Sequence, residues 1–173
     1  MRILKRTFED EAGVEILEAA LVLPILFTLL LGIVWFGRAF NIYSTITQAA
    51  QQGAISAARA TCATCGNANT NAAVDNAITS VLQSSNLPPS QIQASPNPGL
   101  AACASPPGGG CTAVNKIWVC RNVQLNPSGV ATQPQQCGSV VSFQYPFEAY
   151  LPFTSLNLRQ VVMSAQAQSR MEN

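Results

Sequence analysis

From Ala19 to Gly37 the chain carries no charged residue, and only Thr28 is strongly polar. That length is close to the ~20 residues an α-helix needs to cross ~30 Å of hydrocarbon. The run makes the first part of the 173-residue chain a transmembrane-helix candidate and leaves room for one modest domain after it. A secretory signal peptide is the competing reading, because basic residues precede the run. A signal's apolar region, however, is ~7 to 15 residues long and ends at a small-residue cleavage site. Here the apolar run is longer and leads into Trp35, Phe36, Gly37 and Arg38, as a retained anchor does.

Charge placement sets the expected topology. Arg2, Lys5 and Arg6 precede the span, while after Arg38 the next basic residue is Arg59. By the positive-inside rule the N-terminus stays in the cytoplasm and everything after residue 38 is exported, as a single-pass protein. Net charge is only +1 and no basic cluster follows the span, so nucleic acid is not an expected partner.

Cys62, Cys65, Cys103, Cys111, Cys120 and Cys137 all lie beyond the span, where an oxidising compartment allows disulfides. Six cysteines admit 15 connectivities. The most local pairing joins Cys62 to Cys65, Cys103 to Cys111 around the PPGGG loop, and Cys120 to Cys137 across a hairpin. The CxxC of Cys62 and Cys65 is also the signature of a redox centre or half a zinc site. Against that, the chain has no histidine, no second CxxC and no thioredoxin-like alternation, so structural bridges are expected, with no metal or cofactor. The lack of histidine also removes Ser-His-Asp and Cys-His nucleophiles. Asp75, Glu148 and Glu172 are the acidic residues firmly in the exported part and lie far apart in sequence. No enzyme is expected.

Periodicity supplies the architecture. Ala39, Ile42, Tyr43, Ile46, Ala49, Ala50, Gly53, Ala54 and Ala57 recur at three- and four-residue steps, so the span continues as an amphipathic helix. Unbroken from about Val14 to Ala60, it is on the order of 70 Å long, with about half outside the bilayer. Pro24 interrupts its hydrogen-bond ladder and predicts a kink. Residues 62–71 read as a break, and a second helix follows over about 70–84, through Ala73, Val74, Ala77, Ile78, Val81 and Leu82. Residues 87–111 are too rich in Pro and Gly for a helix and read as an irregular loop tied down by disulfides. Strand-like alternation then covers 116–125, 139–147 and 160–170. It places Val141, Phe143, Tyr145 and Phe147 on one face, and Val161, Met163, Ala165 and Ala167 on another. The predicted fold is α+β: a long N-terminal membrane-spanning helix continuing into a small antiparallel sheet of three or four strands.

Glu15 and Glu18 stand at the mouth of the span, where an ionised carboxylate costs at least a few kcal/mol, roughly 2.5 to 3.5 for Asp at a helix centre. The order is a short charged leader ending in Gly13, then Val14, Glu15, Ile16, Leu17 and Glu18, then the apolar run. This resembles the class III signal of type IV pilin-like proteins, which a membrane peptidase cuts after the glycine and which carry a glutamate five residues beyond the cut. The wording RTFEDEAGVEILEAALVLPILFTLLLGIVWFGRAF, with the C-terminal strand ending in Arg170, Met171 and Glu172, is most similar to the TadE-like proteins of tight-adherence (Tad, or Flp) pilus systems. The specific resemblance covers about 35 residues plus that tail.

The resemblance implies a pilin-like fold and a minor pilin or pseudopilin. Residues 1–13 would be a cytoplasmic leader removed by a prepilin peptidase at Gly13 and Val14. Residues 14–61 would be the long helix, membrane-spanning over about 19–37, and residues 62–173 an exported disulfide-containing head. Glu18 would neutralise the new ammonium of Val14 on the same or a neighbouring subunit. The implied setting is the bacterial inner membrane and, after assembly, an extracellular pilus serving adhesion or secretion. The implied partners are the membrane, the peptidase, other pilin or pseudopilin subunits and the pilus assembly machinery. Two alternatives stand beside this: a main filament-forming pilin subunit, and an unprocessed bitopic anchored binding domain. First-turn glutamates are also favoured by the helix dipole, by roughly 0.3 to 1 kcal/mol each. That suffices for Glu15; for Glu18 the glycine, basic leader and span coincide.

Overall fold

A computed structural model describes residues 3–59, 69–103, 109–126, 136–148 and 161–170, with side chains from Gly13 onward. Helix α1 spans Ile3–Ala58 and α2 spans Asn71–Ser84; a 3-10 turn occupies Pro89–Gln91. Strands β1 (Gly110–Val114), β2 (Ile117–Gln124), β3 (Cys137–Phe147) and β4 (Val161–Arg170) form one antiparallel sheet in the order β1-β2-β3-β4. The chain divides into two compact units, Met1–Phe40 and Asn41–Asn173, with α1 contributing to both.

The α+β reading holds. Helix α1 starts earlier than the expected Val14, because residues 3–11 are mostly good helix formers such as Leu, Lys, Arg and Glu. The helix runs through Pro24, and the Thr28 hydroxyl donates to the carbonyls of Pro24 (3.0 Å) and Ile25 (2.8 Å). That internal bond satisfies the hydroxyl without water, a requirement of an apolar medium. At the other end the amide of Asn69 donates from Nδ2 to Ser56 O (3.0 Å), capping one of the carbonyls a helix end leaves free.

In the second unit, α1 presents Ile46, Ala49, Ala50, Ala54 and Ala57, all fully buried, at three- and four-residue steps. Tyr43, counted on that stripe from the sequence, is 51% exposed. Helix α2 adds Val74, Ile78 and Leu82, and the sheet adds Ile117, Val119, Val141, Phe143, Tyr145 and Ala165 to the same core. The alanines let the helix approach closely, and each fully buried large side chain contributes about 1.5–3 kcal/mol. Helix α2 begins at Thr70, whose side chain accepts from Ala73 N–H, and ends in a Schellman motif. There Asn86 takes the left-handed conformation (φ 57°), its N–H bonding Gln83 O, while Leu87 N–H bonds Leu82 O.

Strand β1 was not expected; its residues fall at the end of the Pro- and Gly-rich segment. It forms because Asn115 (φ 48°) and Lys116 (φ 69°) make a two-residue turn with both φ positive, whose twist suits a tight hairpin. That hairpin also corrects the local disulfide pairing. Its register sets Cys111 opposite Cys120, and these two are bonded. Cys103 bonds Cys137 instead, because residue 102 pairs with Val123 while Gln124 pairs with Cys137, bringing the two cysteines to one end of the sheet. Cys62 and Cys65 lie outside the described residues.

Candidate assembly helix and disulfide-pinned head

In the first unit every residue from Gly13 to Leu30 is exposed. Leu17 and Phe36 reach 72% and 75% exposure, with Leu21, Ile25, Leu29, Ile33 and Phe40 similarly bare. Apolar patches on soluble monomers rarely exceed a few hundred Å². A helical surface of this kind requires lipid or other apolar helices around it. Its far end carries Arg38, whose guanidinium carbon sits 5.7 Å from the centre of the Trp35 ring, a cation–π pair suited to a membrane interface.

Gly13 lies inside α1, so the Gly13–Val14 bond is helical. A β-carbon at Gly13 would meet nothing within 4 Å. Among the described residues nothing gives glycine a packing reason there, and it weakens the helix by about 1 kcal/mol relative to alanine. Val14 and Glu18 are four residues apart and therefore share one helix face, while Glu15 is rotated away from that line. Both carboxylates are exposed.

The second unit carries the remaining candidates. Between Gln93, paired beside β3, and Cys103, at the end of β2, the chain forms a strap across the sheet face opposite the helices. At one end Gln93 and Gln144 exchange backbone bonds of 2.8 and 3.0 Å. Midway, Trp118 Nε1 donates to Ser95 O (2.8 Å), and the Ser95 and Ser142 hydroxyls lie 2.9 Å apart. At the other end Cys103 N–H donates to Asn122 O, Gln124 N–H donates to Ala101 O, both at 2.8 Å, and the Cys103–Cys137 bridge closes the strap. A second, smaller core lies beneath it: Cys120, Val123 and Val140, with Leu100, Cys111 and Leu125. Both Cys120 and Val123 reach it because a bulge between them, with Asn122 at φ 50°, shifts the strand's alternation by one residue.

Asp75, weighed above among the acidic residues, accepts from Asn115 Nδ2 at 2.7 Å. Sequence reasoning missed Arg121, whose guanidinium donates to Asn71 Oδ1 and, at 2.6 Å, to Asn69 O, tying β2 to the start of α2. Burial pushes its pKa below the ordinary arginine value. Its being the only charged residue of β2 is the one signal that marked it.

Residues 13–54 match the family model described as TadE-like protein. No curated protein and no solved structure matches the chain. The match ends within α1, so the second helix, the sheet and all the cysteines lie beyond it. It points to involvement in the assembly of tight-adherence pili, a structural role, and with the apolar helix it points to membrane anchoring. By the helical segment of residues 13–54, this chain is thus similar to TadE-like proteins.

Proposed function

We propose that this protein is a minor pilin or pseudopilin of a tight-adherence pilus system, made as a precursor and cut by a prepilin peptidase between Gly13 and Val14. The observation that carries the reading is the coincidence, on one exposed apolar helix inside the matched segment, of an unpacked Gly13 and a Glu18 that shares a face with Val14. Residues 1–13 are then the leader, residues 14–61 the assembly helix and residues 62–173 the head.

Before the cut, the first residues stay in the cytoplasm and the apolar stretch crosses the inner membrane, with the head exported. The peptidase must open the helix to reach its bond, and the weak helix propensity of Gly13 lowers that cost. Cutting leaves an ammonium on Val14, about 6 Å along the axis from Glu18. Either charge alone is costly in an apolar surrounding, and pairing them within one subunit or between neighbours offsets much of the cost. Gly32 and Gly37 also have open space where a β-carbon would stand, which lets equivalent helices approach closely.

The test is the N-terminus and intact mass of the membrane-extracted protein, expressed with and without a matched prepilin peptidase, beside a Gly13→Leu variant. A start at Val14 that needs the peptidase and disappears in the variant is the expected result. Because no described residue packs against Gly13, the variant leaves the described fold intact. A start at Met1 throughout, with the peptidase active on a control substrate, would remove the processing claim.

A further inference from the structure

Strand β4 is an edge strand, and its free side lacks the features that usually protect one. Edges in soluble proteins are commonly blunted by lysine, proline, bulges or short length. Val161–Arg170 pairs with β3 over all ten residues in unbroken register, contains no Lys or Pro, and carries one charge, Arg170, at its end. Its outward backbone groups can be assigned from the strap. Gln144 gives its N–H and C=O to Gln93, away from β4, so Gln144 and Ser164 are a non-hydrogen-bonded pair. Ser164 therefore directs both its backbone groups outward, and with period two so do Val162, Gln166, Gln168 and Arg170. The side chains of all five are exposed. Among the described residues, no strand pairs with this side.

The opposite edge of the sheet is β1, likewise uncharged along Gly110–Val114. Gly110, Thr112 and Val114 bond to β2, because Val114 and Ile117 flank a two-residue turn, so Cys111 and Ala113 direct their backbone groups outward. Each offers one donor and one acceptor. Direction decides what fits. In a four-strand meander the first and last strands run antiparallel, so β4 of one copy meets β1 of another in antiparallel fashion when both copies stand in the same orientation. Pairing β4 with β4 antiparallel would instead turn one head end over end in the sheet plane, reversing its Asn41–Ala58 stretch of α1. The stretch of α1 in the same unit as the sheet, Asn41–Ala58, runs one way in all copies when these stretches pack side by side, a condition that rests on the function proposed above.

We infer that the free edge of β4 docks the β1 edge of a second copy of this chain, head to tail, adding up to four ladder bonds to whatever the α1 helices contribute. Such a contact is heterologous and extends into a ring or an open helical array, according to the rotation between copies.

The test uses the full chain in membranes, with a photo-reactive p-benzoylphenylalanine at Gln168. The expected product is a covalent dimer whose cross-linked peptide carries Gly110–Val114 or its immediate neighbours. A β4-to-β4 adduct, an adduct with another protein only, or no adduct would overturn the inference. Gln166→Pro removes an outward N–H without touching the β3 ladder and should lower dimer yield at least fivefold, with both mapped disulfides retained by mass; an unchanged yield counts against the inference. If that variant fails to fold, the adduct map of the chain with an unaltered edge still decides. The N-terminus and membrane retention are read on the same samples. A dimer that persists without membrane retention or a Val14 start strikes the processing and anchoring reading; a Val14 start without the dimer strikes the edge contact.

Discussion

A β-carbon on Gly53 of α1 would stand 2.7 Å from Ile78 Cγ1 and 2.8 Å from Ile78 Cδ1 of α2, with Val141 Cγ1 of β3 at 3.4 Å behind them. Helix, helix and sheet meet at this glycine. Its position is set by the absence of a side chain, which outweighs the helix propensity lost there.

Gly53→Ala should therefore destabilise the head although alanine is the better helix former. The propensity gain is about 1 kcal/mol. Overpacking of a filled core costs about 1–3 kcal/mol. We expect a net loss of about 1 kcal/mol, larger for Gly53→Val, measured by thermal unfolding of the detergent-solubilised chain. Ile78→Val in the Gly53→Ala background should recover part of it, and a double-mutant cycle with no coupling between the two sites would exclude the contact as the cause.

The two mapped disulfides should differ in what their loss does. Cys103–Cys137 closes a loop of separation 34 and Cys111–Cys120 one of separation 9. The chain-entropy relation gives about 3.8 kcal/mol for the first and about 2.6 kcal/mol for the second. The Cys103→Ser/Cys137→Ser double variant should lose more stability and should expose the strap. Hydrogen exchange should rise first at position 103 and at Gln124, whose N–H groups bond across the strap end. Exchange unchanged there would mean that backbone pairing alone holds the strap.

Much of this architecture is legible in the sequence, and the misses share a physical cause. Periodicity placed α2 and three strands to within a residue or two, because Val74, Ile78 and Leu82, and Val141, Phe143 and Tyr145, alternate with polar residues at the spacing of their elements. The bond pattern of the cysteines was not legible. Cys111 and Cys120 are neighbours only through the Asn115–Lys116 turn, which lacks the usual glycine, and Cys103 reaches Cys137 only through pairing of the strap with β2. The apolar helix reads from sequence for the opposite reason: its exposed surface is one uninterrupted run, and the spacing of Gly13, Val14 and Glu18 is local.

Tyr145 gives a pH prediction. Its ring is buried at 1% exposure and its hydroxyl bonds Gln91 Oε1 (3.0 Å) and Pro88 O (3.3 Å). Burial disfavours the phenolate and raises the pKa above the ordinary 10.0. Above that value the unfolded chain releases the proton while the folded chain keeps it, so stability falls as pH rises past about 10. Tyr145→Phe should cost about 0.5–1.5 kcal/mol at neutral pH through the lost hydrogen bonds. It should also flatten the alkaline limb of the stability profile. An identical limb in the variant would assign that limb to other groups.

The last prediction separates the two glutamates. After a cut at Val14, Glu18 lies one helical turn from the new ammonium on the same face, whereas Glu15 is its direct neighbour in sequence and is turned away by about 100°. If Glu18 serves pairing and Glu15 only the helix start, their amides should behave differently. Glu15→Gln should leave both the Val14 terminus and subunit cross-linking near the parental level, losing at most the 0.3–1 kcal/mol that a first-turn carboxylate contributes. Glu18→Gln should leave membrane retention and processing intact but reduce cross-linking to other pilin-type subunits by about tenfold, the equivalent of ~1.4 kcal/mol. Equal losses in the two variants would mean that generic charge at the helix start, and not the Val14–Glu18 geometry, is what assembly reads. A loss of processing in Glu18→Gln alone would move its role from assembly to recognition by the peptidase.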